Sequence, residues 1–246
     1  MGYDKHQASA EFARWSDSYD RCILQWLIFG PSHRVLIRRI REVVGNQPAK
    51  VLDVGCGTGL FASRLRAALN HVEIVGVDLV PEMLAQGRSR WRRDRAHVLP
   101  IQGDSERLPF GSGSFDIVTC AHSFHHYPHQ DRAIAEMRRV LRAGGRLMVI
   151  DGYRDSLWGW FIFDVCVAGI EGDVHHASAR RFRELMTQAG LQAIAQRPYR
   201  GLAPFLLTEG IATEPVPLVP APHFPTRRLT EARIHTLDDD SGLRPR

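Results

Sequence analysis

The stretch VLDVGCGTGLFA, residues 51–62, runs from a short apolar segment through a glycine-rich turn into the start of a helical pattern. Gly55, Gly57 and Gly59 permit a tight turn and let a ligand approach the main chain closely. The helix that follows begins with unpaired backbone N–H groups, which can also face a ligand. The stretch therefore predicts a strand–turn–helix unit with a small-molecule site at the turn.

The same stretch excludes two common nucleotide motifs. A dinucleotide fingerprint needs a sixth-position glycine, where this chain has Leu60, and a Walker A loop needs a Gly-Lys-Ser/Thr sequence that is absent. Asp53 lies inside the strand, just before the glycines. A carboxylate there disfavours a pyrophosphate and favours a ligand that carries an ammonium or a sulfonium.

Strands and helices alternate onward from this turn. Strands are predicted at 49–55, 72–79, 97–104, 115–121 and 146–152, and helices at 60–69, 81–93, 129–141 and 178–189. Two further strand-like runs, at 191–199 and 202–210, are too close for a crossover helix and predict an antiparallel hairpin at one edge. The fold class is therefore α/β, a doubly wound and mostly parallel seven-stranded sheet.

The chain divides by composition into three parts. Residues 1–46 read as an N-terminal helical lid, with a break at Gly30-Pro31, and 47–212 as the sheet domain with an inserted lid at 153–177. Residues 213–246 are Pro-rich and predict a disordered tail.

Charge and cysteine usage exclude several classes of protein. The net charge is +5, but the arginines are scattered apart from RSRWRRDR at 88–95, which we interpret as a solvated helix face and not as a nucleic-acid surface. The four cysteines show no CxxC pair, which favours a reducing, cytoplasmic location without a disulfide framework. The apolar run 157–170 is too short to span a bilayer, although a transient contact with a membrane surface stays open.

Two more acids extend the site beyond Asp53. Asp78 ends the second predicted strand, and Asp104 ends the third. An acid at the first position can accept from both ribose hydroxyls, and one at the second can accept from the exocyclic amine of adenine. Parallel sheets bind ligands along the carboxyl ends of their strands, so these three acids predict one nucleoside-binding crevice.

Five motifs together resemble a known family. VLDVGCGTG, VGVDLVPEML, GDSERLPF, FDIVTC and RVLRAGGRLMVID are similar, in order and spacing, to the class I S-adenosylmethionine-dependent methyltransferases. Within these they resemble the small-molecule branch that includes the ubiquinone and menaquinone C-methyltransferases. The resemblance implies a Rossmann-like methyltransferase fold and S-adenosyl-L-methionine as the cofactor.

The resemblance also implies roles for individual residues. The glycine turn would hold the methionine moiety, with Asp53 near its ammonium, and Asp78 would bind the ribose. The same motifs imply that Leu79, Met83, Asp104 and Ser105 lie beside the adenine, and that Ala121 and His122 lie beside the reactive methyl. The full set implied for the cofactor is Asp53, Gly55, Cys56, Gly57, Thr58, Gly59, Asp78, Leu79, Met83, Gly103, Asp104, Ser105, Ala121 and His122.

The acceptor pocket is expected above the carboxyl ends of the fourth and fifth strands, under aromatic lids. The predicted acceptor-binding residues are Trp15, Tyr19, His125, His126, Trp158 and Trp160. Such a lining suits a flat or lipid-like apolar molecule.

The histidine-rich run CAHSFHHYPHQD, residues 120–131, predicts the candidate catalytic groups. His122 ends the fourth strand, and His125-His126 are expected to open the next helix, while His129 is expected in solvent. His126, and with it His122, is the candidate base, and bracing of the helix start is the alternative reading of His125 and His126. No metal is expected, because methyl transfer of this kind needs none.

The predicted function is methyl transfer to a small, apolar or quinone-like acceptor at carbon or oxygen. A phospholipid or small-amine N-methyltransferase is the alternative among enzymes. A cofactor-binding protein without catalysis and a nucleic-acid modifier are the alternatives of other classes. The residues do not reveal an oligomeric state.

Overall fold

The computed structural model describes residues 23–162, 176–200, 203–215 and 217. Within these residues no helix is both long and apolar enough to cross a bilayer. The elements in chain order are α1 (Ile23–Val44), β1 (Ala49–Val54), α2 (Leu60–Ala68), β2 (Val72–Asp78), α3 (Pro81–Arg93), β3 (Val98–Gln102), β4 (Phe115–Ala121), a 3-10 turn (Phe124–His126), α4 (Gln130–Val140), β5 (Leu141–Gly152), α5 (Leu157–Trp160), α6 (Ala179–Gln188), β6 (Gln192–Tyr199) and β7 (Phe205–Ile211).

The seven strands form one sheet in the order β3-β2-β1-β4-β5-β7-β6. The first five strands are parallel, and β7 runs antiparallel to both β5 and β6. The predicted fold class, including the antiparallel edge hairpin, is therefore confirmed. Strand order reverses between β1 and β4, and a doubly wound sheet opens a crevice at such a point, outside the carboxyl ends of its strands.

Two apolar cores cover the two faces of the sheet. Leu36 and Ile40 of α1 and Leu65 of α2 pack on one face. Met137 of α4 and Phe182 of α6 pack on the other. Because β1 is buried on both faces, its side chains are apolar at successive positions, as expected for a central parallel strand.

The break predicted at Gly30-Pro31 is wrong, because α1 continues through Pro31. Proline removes one backbone N–H and costs the helix about 3 kcal/mol. Burial of the apolar face that carries Leu36 and Ile40 outweighs this local cost, since each buried leucine or isoleucine contributes about 1.5–3 kcal/mol.

Two boundaries near the histidine-rich run also differ from the prediction. His125 and His126 lie in the 3-10 turn, and α4 begins only at Gln130. Tyr127 is extended, with φ −85° and ψ 122°, because the following Pro128 disfavours the helical conformation of the residue before it. At its other end α4 stops at Val140, and Leu141 already pairs with Phe115 as the start of β5.

Several predictions lie outside the described residues. They concern Trp15, Tyr19, most of the inserted lid and most of the tail. The three-part division into 1–46, 47–212 and 213–246 stays a prediction.

Candidate functional site

One cleft opens at the carboxyl ends of β1, β2, β3 and β4, where the sheet topology predicts a ligand. It encloses about 1230 Å³, including open solvent at its mouth. Its lining includes every residue of the set implied for the cofactor except Gly59. Helix α1 adds Phe29 and His33 to the wall, and the histidine-rich segment adds His126 and Tyr127.

The glycine turn packs so closely that side chains are excluded at two positions. Gly55 has φ 68°, and a Cβ there would lie 2.3 Å from Ser123 Oγ. Gly59 has φ 72°, and a Cβ there would lie 2.3 Å from the Trp91 ring. Gly59 therefore serves the packing of α2 against α3 instead of lining the cleft, since the Trp91 indole N–H also donates to its carbonyl at 3.2 Å.

Asp78 joins the end of β2 to the glycine turn. Its Oδ2 accepts from the Gly57 backbone N–H at 2.7 Å, and its Oδ1 accepts from the Val80 N–H at 2.9 Å. Each carboxylate oxygen has a second lone pair, so both can also accept from a ligand. Two oxygens held in this way at the cleft wall fit a vicinal diol such as that of ribose.

Asp53 is a buried acid whose side chain is only 1% exposed. The Thr119 hydroxyl lies 3.0 Å from its Oδ1, and no ion pair joins it to any cation of the described residues. Burial raises the pKa of Asp53 to about 7, against the opposing hydrogen bond from Thr119. A buried carboxylate of this kind is stabilised by an ammonium, so the donor set fits the methionine end of the cofactor.

This raised pKa predicts a pH-dependent affinity for S-adenosylhomocysteine. An ammonium beside Asp53 favours the carboxylate, so binding releases the proton that Asp53 holds below pH about 7. The association constant should rise between pH 5.5 and 7, by at most about tenfold per pH unit, and level off above the pKa. Calorimetry at several pH values, in buffers of different ionisation enthalpy, measures both the affinity and the released proton. Asp53→Asn should flatten the profile, and an equally steep profile in that variant would assign the proton elsewhere.

His122 lies at the tip of β4 in the left-handed region, with φ 57°. Its ring packs between Phe29 and Phe205, at centroid distances of 4.5 and 4.7 Å. Burial lowers its pKa to about 3, so the imidazole is neutral at pH 7.

A short hydrogen-bond chain determines which nitrogen of His122 carries the proton. Its Nε2 lies 2.6 Å from Ser32 Oγ, and the single hydroxyl proton of Ser32 is donated to the Phe29 carbonyl at 2.8 Å. With the Ser32 proton on the Phe29 carbonyl, His122 Nε2–H donates to Ser32 and Nδ1 is left as an acceptor.

Asp151 at the end of β5, which is not among the predicted site residues, organises the other histidines. His125 Nδ1 lies 2.7 Å from Asp151 Oδ1, and the His125 backbone N–H donates to Oδ2 at 3.0 Å. Burial works to raise the pKa of Asp151, but the interactions with His125 outweigh it and hold that pKa well below its usual range. Its position at the carboxyl end of a predicted strand was the signal available, as for the three acids that were found.

His126 lines the cleft in front of this buried pair. The centroid of its ring lies 4.1 Å from that of His125, which in turn stacks on His176 at 4.5 Å. Burial and, next, His125 lower the pKa of His126 well below its usual value, so it is neutral at pH 7. A neutral imidazole in the cleft wall can accept a proton or a hydrogen bond from a ligand.

His125, Asp151 and His176 are also of the types that bind transition metals, and their ligand atoms lie within 4.8 Å of one another. The 2.7 Å between His125 Nδ1 and Asp151 Oδ1 is a hydrogen-bond distance. Two ligands of a tetrahedral zinc would lie about 3.3 Å apart. The observed geometry therefore fits a shared proton better than an ion.

Three residues predicted to bind the acceptor do not line the cleft. His125 lies behind His126, bonded to Asp151. Trp158 and Trp160 are 54% and 51% exposed. Between them, Gly159 is buried against the backbone of Tyr153. His129 is exposed, as predicted.

Comparison with known proteins identifies the central part of the chain. The family described as "Methyltransferase domain" matches residues 51–145. A demethylmenaquinone methyltransferase of Deinococcus radiodurans is 38% identical over 149 residues, which are 60% of this chain and 61% of the relative. A malonyl-[acyl-carrier protein] O-methyltransferase of Laribacter hongkongensis is 35% identical over 181 residues, 70% of this chain and 58% of the relative. The chain thus spans less than two thirds of the length of these curated relatives.

Solved structures with the same fold include a magnesium protoporphyrin IX methyltransferase from Synechocystis with bound SAH. Its TM-score is 0.71 at 15% identity, over 85% of this chain and 99% of that one. A SAM-dependent methyltransferase from Aquifex aeolicus has a TM-score of 0.62 at 17% identity, over 85% and 99%. The predicted resemblance to the class I methyltransferases is therefore confirmed.

Proposed function

We propose that this chain is an S-adenosyl-L-methionine-dependent methyltransferase that acts on a small, quinone-like acceptor at carbon or oxygen. One observation carries the proposal. A single cleft joins the glycine turn, the three acids and the two neutral imidazoles of His122 and His126 to an aromatic wall of Phe29, Phe61 and Tyr127. In this proposal, cofactor and acceptor therefore meet in one cleft.

In this proposal each cofactor residue has a stated task. The turn around Gly57 holds the methionine moiety, and Asp53 faces its ammonium. Asp78 accepts from the ribose hydroxyls. Leu79 and Met83 flank the adenine, while Asp104 and Ser105 meet its edge. S-adenosyl-L-methionine supplies an electrophilic methyl and a good leaving group, so the protein has to align and desolvate the acceptor.

His126 is proposed as the group that takes the acceptor's proton. A phenol or quinol attacks a methyl well only when its O–H proton can leave, whether the new bond forms at oxygen or at a ring carbon. His126 is neutral at pH 7 and lines the cleft, and the negative charge of Asp151 lies behind it to stabilise the imidazolium. His122 is proposed to orient the acceptor, because its Nε2 is already engaged with Ser32.

The quinone-like class is favoured by two observations. Phe29, Phe61 and Tyr127 line the cleft and suit a flat apolar ring. The relatives named demethylmenaquinone methyltransferases share 33–38% identity with this chain in three bacteria. We also propose a cytoplasmic protein that touches membrane surfaces to reach such an acceptor, because Trp158, Trp160 and Phe161 are exposed together.

The test is methyl transfer by the full chain from cofactor that carries a labelled methyl. The acceptors offered are a short-chain demethylmenaquinol, phosphatidylethanolamine vesicles, a small primary amine and total RNA. Mass spectrometry is expected to find the label on the quinol. Label on the lipid, the amine or the RNA instead would contradict the quinone-like class and identify that compound's class as the acceptor. Cofactor binding without transfer to any of them, or to a metabolite extract, would favour a binding protein.

A further inference from the structure

We propose that His33 of α1 recognises an oxygen atom of the methyl acceptor by donating its Nε2–H to it. The inference rests on the proposed function and specifies the acceptor. His33 would determine acceptor specificity, although it lies outside the five motifs that resemble the methyltransferases. His33 follows Pro31 in the helix and lines the cleft beside Phe61, which begins the helix after the glycine turn.

The proton of His33 is placed by its neighbour Arg64. Arg64 Nη1 lies 3.0 Å from His33 Nδ1. A guanidinium can only donate, so Nδ1 must be the acceptor. Burial, then His122 and Arg64, lower the pKa of His33 well below its usual value. The ring is therefore neutral at pH 7 with its one proton on Nε2, and it presents an N–H donor.

That donor belongs to the cleft. His33 is only 6% exposed, and it is one of the residues that line the cleft. Its ring packs edge-on against Phe61 at 5.3 Å and lies 6.1 Å from the His122 ring at the tip of β4. Among the described residues its one hydrogen bond is the bond to Arg64. His33 Nε2 is not among the fully buried nitrogens, so a ligand in the cleft can accept from its N–H.

Because His33 Nε2–H donates, the group that it meets on the methyl acceptor must be a hydrogen-bond acceptor. An imidazole N–H and the nearby Arg64 charge both disfavour an ammonium and favour a carbonyl, a hydroxyl or a phenolate oxygen. The aromatic neighbours, Phe61 and Phe29, suit a ring that carries this oxygen. The site therefore fits an aromatic oxygen compound, and it does not fit a small amine.

Binding of two matched compounds tests the role without requiring turnover. The probes are a 1,4-naphthoquinol that carries one prenyl group and 2-prenylnaphthalene, which lacks both oxygens. Each is titrated into protein saturated with S-adenosylhomocysteine. His33→Phe should weaken quinol binding about tenfold or more and leave prenylnaphthalene binding unchanged. His33→Gln should keep quinol affinity within about threefold, because its Oε1 can accept from Arg64 while its amide nitrogen donates.

A second measurement reads the proton directly. In ¹⁵N spectra of the unliganded protein, His33 Nε2 should carry the proton and Nδ1 should not. Equal loss of quinol affinity in His33→Phe and His33→Gln, equal weakening of both probes, or a proton on Nδ1 would overturn the inference. Methylation of the quinol by the wild type is measured in a separate assay. If quinol binding depended on His33 but the protein methylated no quinol, the proposed function would be contradicted and the inference about His33 would stand.

Discussion

Replacing Asp78 with alanine should weaken the binding of S-adenosylhomocysteine by at least about a hundredfold. Hydrogen bonds to a charged group contribute about 1.5–3 kcal/mol each, and the ribose diol would lose two of them. The variant also removes the acceptor for the Gly57 N–H at 2.7 Å, a bond that holds the turn proposed to bind the methionine moiety. Calorimetry measures the affinity, and circular dichroism confirms that the variant is folded.

Two further variants control this experiment. Asp78→Asn keeps the shape and one acceptor oxygen, so its affinity should lie between those of the wild type and Asp78→Ala. Asp94 is an exposed acid that ends the α3 region and lies outside the cleft, and Asp94→Ala should bind like the wild type. Unchanged affinity in Asp78→Ala would refute the placement of the ribose.

Replacing His126 with phenylalanine should lower kcat on the quinol by about 10²–10⁴-fold, the range typical of general acid–base catalysis. Phenylalanine keeps the ring volume beside His125 and removes the nitrogen that accepts the proton. The affinity for S-adenosylhomocysteine should change less than about threefold, because His126 is predicted to contact the acceptor and is not in the predicted cofactor set. Steady-state kinetics and calorimetry separate the two quantities.

The matched control for this variant is His129→Ala, three residues further along. His129 is exposed, and its removal should leave kcat within about twofold of the wild type. If His126→Phe instead lowered cofactor affinity and kcat by equal factors, His126 would brace the turn and would not accept the proton. Loss of activity in both His126→Phe and His129→Ala would mean that the substitutions disturb the fold of this segment.

The cofactor half of the site was open to prediction because its signals are local. A strand that ends in glycines, or in an acid such as Asp78, occupies a known place in any doubly wound sheet, whatever packs around it. The acceptor half was less accessible. Ser32 and His33 meet His122 only because α1 lies across the carboxyl ends of β1 and β4, and no spacing in the chain encodes that contact.

Errors in element boundaries have the same origin. Gly30-Pro31 carries a local signal for a break, which the burial of α1 against the sheet overrides. In α1, packing energy distributed over several residues exceeds the preference of Gly30 and Pro31. Trp158 and Trp160 have the composition of a pocket wall, but both are exposed.

The amino-acid sequence alone therefore determined the order of the elements, the parallel sheet with its antiparallel edge and the row of acids for the cofactor. These follow from periodicity and from residue types at strand ends, which depend on the neighbouring residues in the chain. Only the tertiary structure decided the protonation pattern of the histidines. Asp151 pairs with His125, Ser32 with His122 and Arg64 with His33, and each partner lies at least 26 residues away in the chain. A tautomer depends on which donor or acceptor faces each nitrogen, and folding alone brings those groups together.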